Sequence, residues 1–141
     1  MKGSALMPTE LTAENKDMYQ INEPGIVTDT KNNLMWKQEL ESEKYTWDEA
    51  REITSDFGGY SDWRLPTIQE LVSLVDYTQH NPAIDEKAFP NQPCSVVWSG
   101  SPDAGGTNYA WAVYFEVGDV YYHFRNYNNA VRLVRGGGEI E

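Results

Sequence analysis

The stretch "NYAWAVYFEVGDVYYHFRNYNNAVRLVRG", residues 108–136, decides the fold. It holds three β-prone runs, and the pair Gly118-Asp119 between the first two marks a tight hairpin turn. Side chains alternate across a strand with period two. That alternation is expected to set Tyr109, Trp111, Val113 and Phe115 toward a core, with Ala110, Ala112, Tyr114 and Glu116 outward. By the same rule Val120, Tyr122 and Phe124 point inward, and Tyr121, His123 and Arg125 point outward.

Working back from this stretch, residues 79–95 read as loop, rich in proline and asparagine. Before them come two helix signatures. In "YTWDEAREITSDFGG" Thr46 and Glu49 form a capping box, with Gly58-Gly59 as the stop. In "DWRLPTIQELVSLVDY" Thr67 and Glu70 repeat the box, and Ile68, Leu71, Val72 and Val75 supply an apolar face. Earlier still, Ile26–Thr28 and Leu34–Lys37 flank the turn-forming "DTKNN" as a hairpin. A hairpin, two helices and a cluster of antiparallel strands make an α+β layout. Residues 1–20 are expected to be a lead-in, 21–137 the domain and 138–141 a tail.

The chain has 141 residues, 40% hydrophobic and 13% aromatic, enough for one core without metals or crosslinks. Its only cysteine, Cys94, excludes an intrachain disulfide framework. With 22 acids against 11 bases the formal charge is −11, which argues against nucleic acid and anionic membrane surfaces. From Trp98 to Arg135 the charges balance, so a ligand there meets little net field. No apolar run approaches the roughly 20 residues of a membrane span, and the first residues lack the apolar segment of a signal peptide.

Catalytic signatures are thin. His80 and His123 lack partners at metal spacing, so no metal and no cofactor is expected. Asp103 and Asn108 share a loop but do not assemble the oxygen set that calcium needs. A hydrolase built from Ser99, His123 and a carboxylate lacks a nucleophile elbow. "DFG" at 56–58 stands without the rest of a kinase set, and "RGGGE" at 135–139 precedes no helix to bind phosphate. Trp36, Trp47, Trp63, Trp98 and Trp111 read as core anchors, with Trp98 the one placed to stack on a sugar. Arg64, between Trp63 and a helix cap, reads as an internal strut toward Asp62 or Glu70.

The ordered blocks "GIVTDTKNNLMW", "TWDEA", "GGYSDWRLPTIQELVSLVDY", "FPN", "VWSGS", "AWAVYFEVGDV" and "AVRLVRGG" resemble the C-terminal domain family of the Legionella collagen-like protein. "WRLPT" before an acidic helix is also similar to sulfatase-modifying-factor proteins. The resemblance implies a C-type-lectin-like domain of two helices and antiparallel sheets, in an exported or cell-surface adhesion protein. It does not carry over the reactive cysteine pair of the sulfatase-modifying enzymes, since only Cys94 is present. Nor do "NQPCS" and "VWSGS" reproduce the loops of calcium-dependent lectins. Adhesion to sulfated polysaccharide, associated with the namesake, fits poorly with an acidic chain.

The expected function is a non-catalytic module that binds a glycan or a surface protein. Tyr121, His123, Arg125, Asn126, Tyr127, Asn128 and Asn129 form its contact set on a sheet edge and loop. Trp98, Ser99, Asn108 and Tyr109 sit on neighbouring loops. Tyr supplies amphipathic area at low rotamer cost, and Asn supplies adaptable donors and acceptors. Three alternatives stand beside it: a variable binding protein diversified by a retroelement, the Ser99 hydrolase, and a structural domain whose Tyr/Asn face is a homo-oligomer contact.

Overall fold

The computed structural model describes residues 18–105 and 108–137. Four strands, β1 (Tyr19–Asn22), β2 (Ile26–Asp29), β3 (Leu34–Lys37) and β7 (Val134–Gly136), form one antiparallel sheet in the order β1-β2-β3-β7. A second antiparallel sheet has the order β4 (Val96–Pro102), β5 (Tyr109–Tyr114) and β6 (Asp119–Phe124). Between the sheets in sequence lie two short helices, α1 (Trp47–Arg51) and α2 (Ile68–Val72). The fold is therefore α+β, as the patterning predicts.

Both helices begin where the sequence places them. Thr46 and Thr67 each accept a hydrogen bond from the N–H three residues on, and the Glu49 and Glu70 carboxylates accept in turn from the backbone N–H of the cap residue. Helix α1 ends at Glu52, well before Gly58-Gly59, because the β-branched Ile53 and Thr54 that follow are poor helix formers. The two glycines instead turn the chain between Phe57 and Tyr60. Their left-handed backbone is needed there, since a Cβ on Gly58 would lie 2.5 Å from Ile26 Cδ1. Strand β1 begins at Tyr19, so residues 19 and 20 belong to the sheet and not to a lead-in. Residues 1–17 and 138–141 lie outside the described residues.

The segment 129–134 threads between the sheets and ties them together. Its Asn129 pairs with Tyr45, Ala130 with Val96 and Trp98, Val131 with Glu41, Leu133 with Lys37, and Val134 with Arg64. Its apolar side chains fill the core, and Arg132 is buried with them. The Arg132 guanidinium donates to the Lys37 and Gln38 carbonyls and to Gln92 Oε1, and lies 4.7 Å over the Phe89 ring. Arg64 is the strut expected of it: it grips Glu70 at 2.8 and 3.0 Å and reaches the Gly136 carbonyl at 2.7 Å. Asp62 pairs instead with Arg135.

The buried side chains fall into two clusters. One joins Trp36, Leu71, Leu74, Phe89, Val97, Val113 and Phe115 under α2. The other gathers Trp47, Trp63 and Trp98 around Ala110, Ala112, Val131 and Leu133. These clusters cover opposite faces of the second sheet, because Val97 pairs with Val113 while Trp98 pairs with Ala112. Four of the five tryptophans are core anchors as expected, and Trp111 is half-buried.

Candidate ligand-binding surface

Where the clusters end, β6 continues. Its register sets Tyr109, Trp111 and Val113 opposite Phe124, Tyr122 and Val120, and Ala110, Ala112 and Tyr114 opposite His123, Tyr121 and Asp119. The inward set is thus corrected in part: Val113 and Phe115 are buried as expected, while Tyr109 and Trp111 are only half-buried. Ala110 and Ala112 are fully buried, whereas Val120, Tyr122 and Phe124 are 43%, 55% and 43% exposed. The reason is space: the Trp98 and Trp47 indoles and the chain at 131–133 press on β5 at residues 110 and 112, leaving room only for alanine there. The Tyr109 and Trp111 rings go to the other face, which α2 covers only as far as Val113 and Phe115.

Strand β6 consequently presents aromatic rings on both faces. On one, Tyr122 stands edge-on to Tyr109 and Trp111 at 5.2 and 5.4 Å, and Phe124 lies 4.7 Å from Tyr109. On the other, Tyr114, Tyr121 and His123 stack in succession at 5.7 Å each, and His123 meets Tyr127 at 5.1 Å. Such ring pairs hold one another in place, so the surface is pre-ordered. Asn126 and Asn128 are exposed on the loop that follows.

His123 is half-buried, and burial lowers its pKa below the ordinary histidine value. Its Nδ1 lies 3.2 Å from Asn129 Nδ2, which makes it the acceptor and leaves the proton on Nε2 in the neutral ring.

The expected contact set is only partly brought together. Tyr121, His123, Arg125, Asn126, Tyr127, Asn128, Asn108 and Tyr109 all lie on the β5–β6 hairpin or its flanks. Trp98, Ser99 and Asn129 do not belong to the surface, since all three are buried. Strand β4 extends through "WSGS" with a register shift against β5 between Trp98 and Pro102, and Trp98 sits under the sheet and donates to the Tyr45 carbonyl at 2.7 Å. Ser99 Oγ donates to the Trp111 carbonyl at 2.6 Å and accepts from the Ser101 N–H at 3.1 Å. Among the described residues Ser99 and His123 share no hydrogen bond, and the partner of His123 is an amide. Asn129 is fastened through its backbone to Tyr45. Asp103 spends its carboxylate on the Gly105 N–H.

Sequence reading passed over Trp111, Val120, Tyr122 and Phe124 as surface residues, and also Thr46 and Asp48. The last two help line an open cleft of about 550 Å³ beside Asn108, Phe124, Arg125 and Asn126. It combines an aromatic wall, two amides, a carboxylate and a guanidinium. The signal for the β6 residues was present: alternating alanines in β5 mark the crowded face.

A family model described as the Lcl C-terminal domain matches residues 25–135. A search of curated proteins finds no match.

Proposed function

The chain belongs to the Lcl C-terminal domain family, and we propose that it is a non-catalytic recognition module for a glycan or a surface protein. Its reading surface is the β5–β6 hairpin with the cleft at its end. The observation that carries this is the concentration of exposed large apolar side chains. Six of the eight in the described residues, Val117, Val120, Tyr121, Tyr122, Phe124 and Tyr127, lie within one eleven-residue stretch. Contiguous exposed apolar area on a soluble domain marks an interaction site. Tyr and Phe rings offer faces to sugar C–H groups or to a partner's side chains, while Asn108, Asn126 and Asp48 offer hydrogen-bonding groups to hydroxyls or amides. Trp98, Ser99 and Asn129 hold the platform from beneath.

The test is binding of the purified chain to immobilised glycans and surface proteins, with Tyr121→Ser, Tyr122→Ser and Phe124→Ser compared with the unaltered chain. Each change removes an exposed ring, so folding is expected to persist while affinity falls about tenfold or more. Retained binding in all three variants would put the reading surface elsewhere.

A further inference from the structure

No strand pairs with the outer edge of β6 among the described residues; at its C-terminal end the Phe124 carbonyl accepts from the Tyr127 N–H at 3.1 Å and keeps one lone pair outward. Three hydrogen bonds fix which of its groups face outward. The Arg125 N–H donates to Asn108 O, Phe115 N–H donates to Ser95 O, and Ser99 Oγ donates to Trp111 O. In β5, then, the odd residues bond toward β4 and the even ones toward β6. Within β6, Asp119, Tyr121 and His123 bond to β5, and Val120, Tyr122 and Phe124 aim their N–H groups away from it.

An edge strand left free in solution is ordinarily blunted by a lysine, a proline or a bulge. Strand β6, "DVYYHF", has none of these, and its ladder with β5 runs without a register break. Its only carboxylate is at one end, and the arginine that follows it, Arg125, is at the other. That charge order is self-complementary when the strand meets its own copy in the antiparallel sense.

We propose that β6 pairs with β6 of a second copy of this chain, centred on Tyr122. Tyr122 then faces the partner copy's Tyr122, Val120 faces Phe124, Tyr121 faces His123, and Asp119 faces Arg125. This register sets the outward N–H of Tyr122 against the same residue's carbonyl across a two-fold axis, and opposite charges meet at both ends. The two sheets become one of six strands. Growth stops at two copies, because the far edge of β4 is occupied by Ala130 and by Pro66, whose carbonyl accepts from Gly100. Pairing uses the strand's edge and leaves both ring-bearing faces open, so the inference stands apart from the recognition reading above.

Two measurements test it. In a Cys94→Ser background, Tyr122→Cys places two thiols across the axis, at a Cα separation of about 5.5 Å that suits a disulfide. Oxidation is expected to give a covalent dimer at least tenfold faster than with Ser61→Cys, an exposed site away from the strand. Sedimentation of the unaltered chain at rising concentration is expected to show mass climbing toward twice the monomer. Tyr122→Pro and, separately, Tyr122→Lys are expected to abolish that rise while melting cooperatively. A chain that stays monomeric throughout, equal crosslinking at 61 and 122, or undiminished association in both variants would overturn the pairing.

Discussion

The guanidinium of Arg125 lies 4.3 Å from the centre of the Trp47 ring, and the Trp47 backbone N–H donates to the Arg125 carbonyl at 2.9 Å. Arg125 Nε also donates to the Tyr109 carbonyl at 2.9 Å. One side chain therefore clamps the start of α1 to the end of the β5–β6 hairpin. Arg125→Ala is expected to cost about 1–2 kcal/mol in urea unfolding, from a partly desolvated cation–π contact and one hydrogen bond. Arg125→Lys should recover less than half, since an ammonium cannot stack flat while donating sideways.

His123 makes stability depend on pH. Its surroundings are Asn129, Trp98, Tyr121 and Tyr127, with no carboxylate among them, and burial lowers its pKa. The unfolded chain, with an ordinary histidine near pKa 6.5, takes up the proton first. Stability present above about pH 6.5 is thus lost as pH falls through the folded-state value. Denaturant midpoints at pH 7.5 and 5.5 should differ less in His123→Gln than in the unaltered chain; an unchanged difference would remove this residue from the account.

Arg132 is a buried cation with no carboxylate in contact among the described residues. Loss of solvent lowers its pKa to about 9, opposed by the charge of Glu39, so the group remains charged near neutrality. Arg132→Ala strands two carbonyls and Gln92 in the interior and empties the space over Phe89. The expected loss is about 3 kcal/mol or more by chemical unfolding, the largest of these single changes.

Two small residues are predicted to resist enlargement. Ala112 faces the tryptophan-lined cluster with no exposed area, and Ala112→Leu should overpack it by about 1–3 kcal/mol. Gly118 turns the β5–β6 hairpin at φ +87°, and an added Cβ would lie 2.5 Å from Val75 Cγ1. Gly118→Ala adds backbone strain to that clash and should lower the melting temperature by several degrees. A neutral result at either position would mean that the contacts relax freely.

Local chemistry was readable from residue order. Thr46 with Glu49, and Thr67 with Glu70, satisfy orphan backbone groups three positions apart, so nothing distant is needed to place those helix starts. The first hairpin followed from Asp29, whose carboxylate accepts from the Lys31 and Asn32 N–H groups in the turn. Arg64 found Glu70 six residues away. Arg125 and Asn129 were legible as polar residues of the right region, but their partners Trp47 and Tyr45 come from about eighty positions earlier, so their roles as clamps were not.

Periodicity divides a strand's side chains into two sets; it does not say which set is covered. In β5 both sets are largely apolar, Ala110, Ala112 and Tyr114 on one side and Tyr109, Trp111 and Val113 on the other. Chain order therefore determined the elements, their caps and the α+β class, because those depend on neighbours a few residues apart. Tertiary structure alone decided which rings reach solvent. That outcome rests on how closely the 129–134 segment and the tryptophans pack against the sheet, and on β6 having no strand beyond it among the described residues.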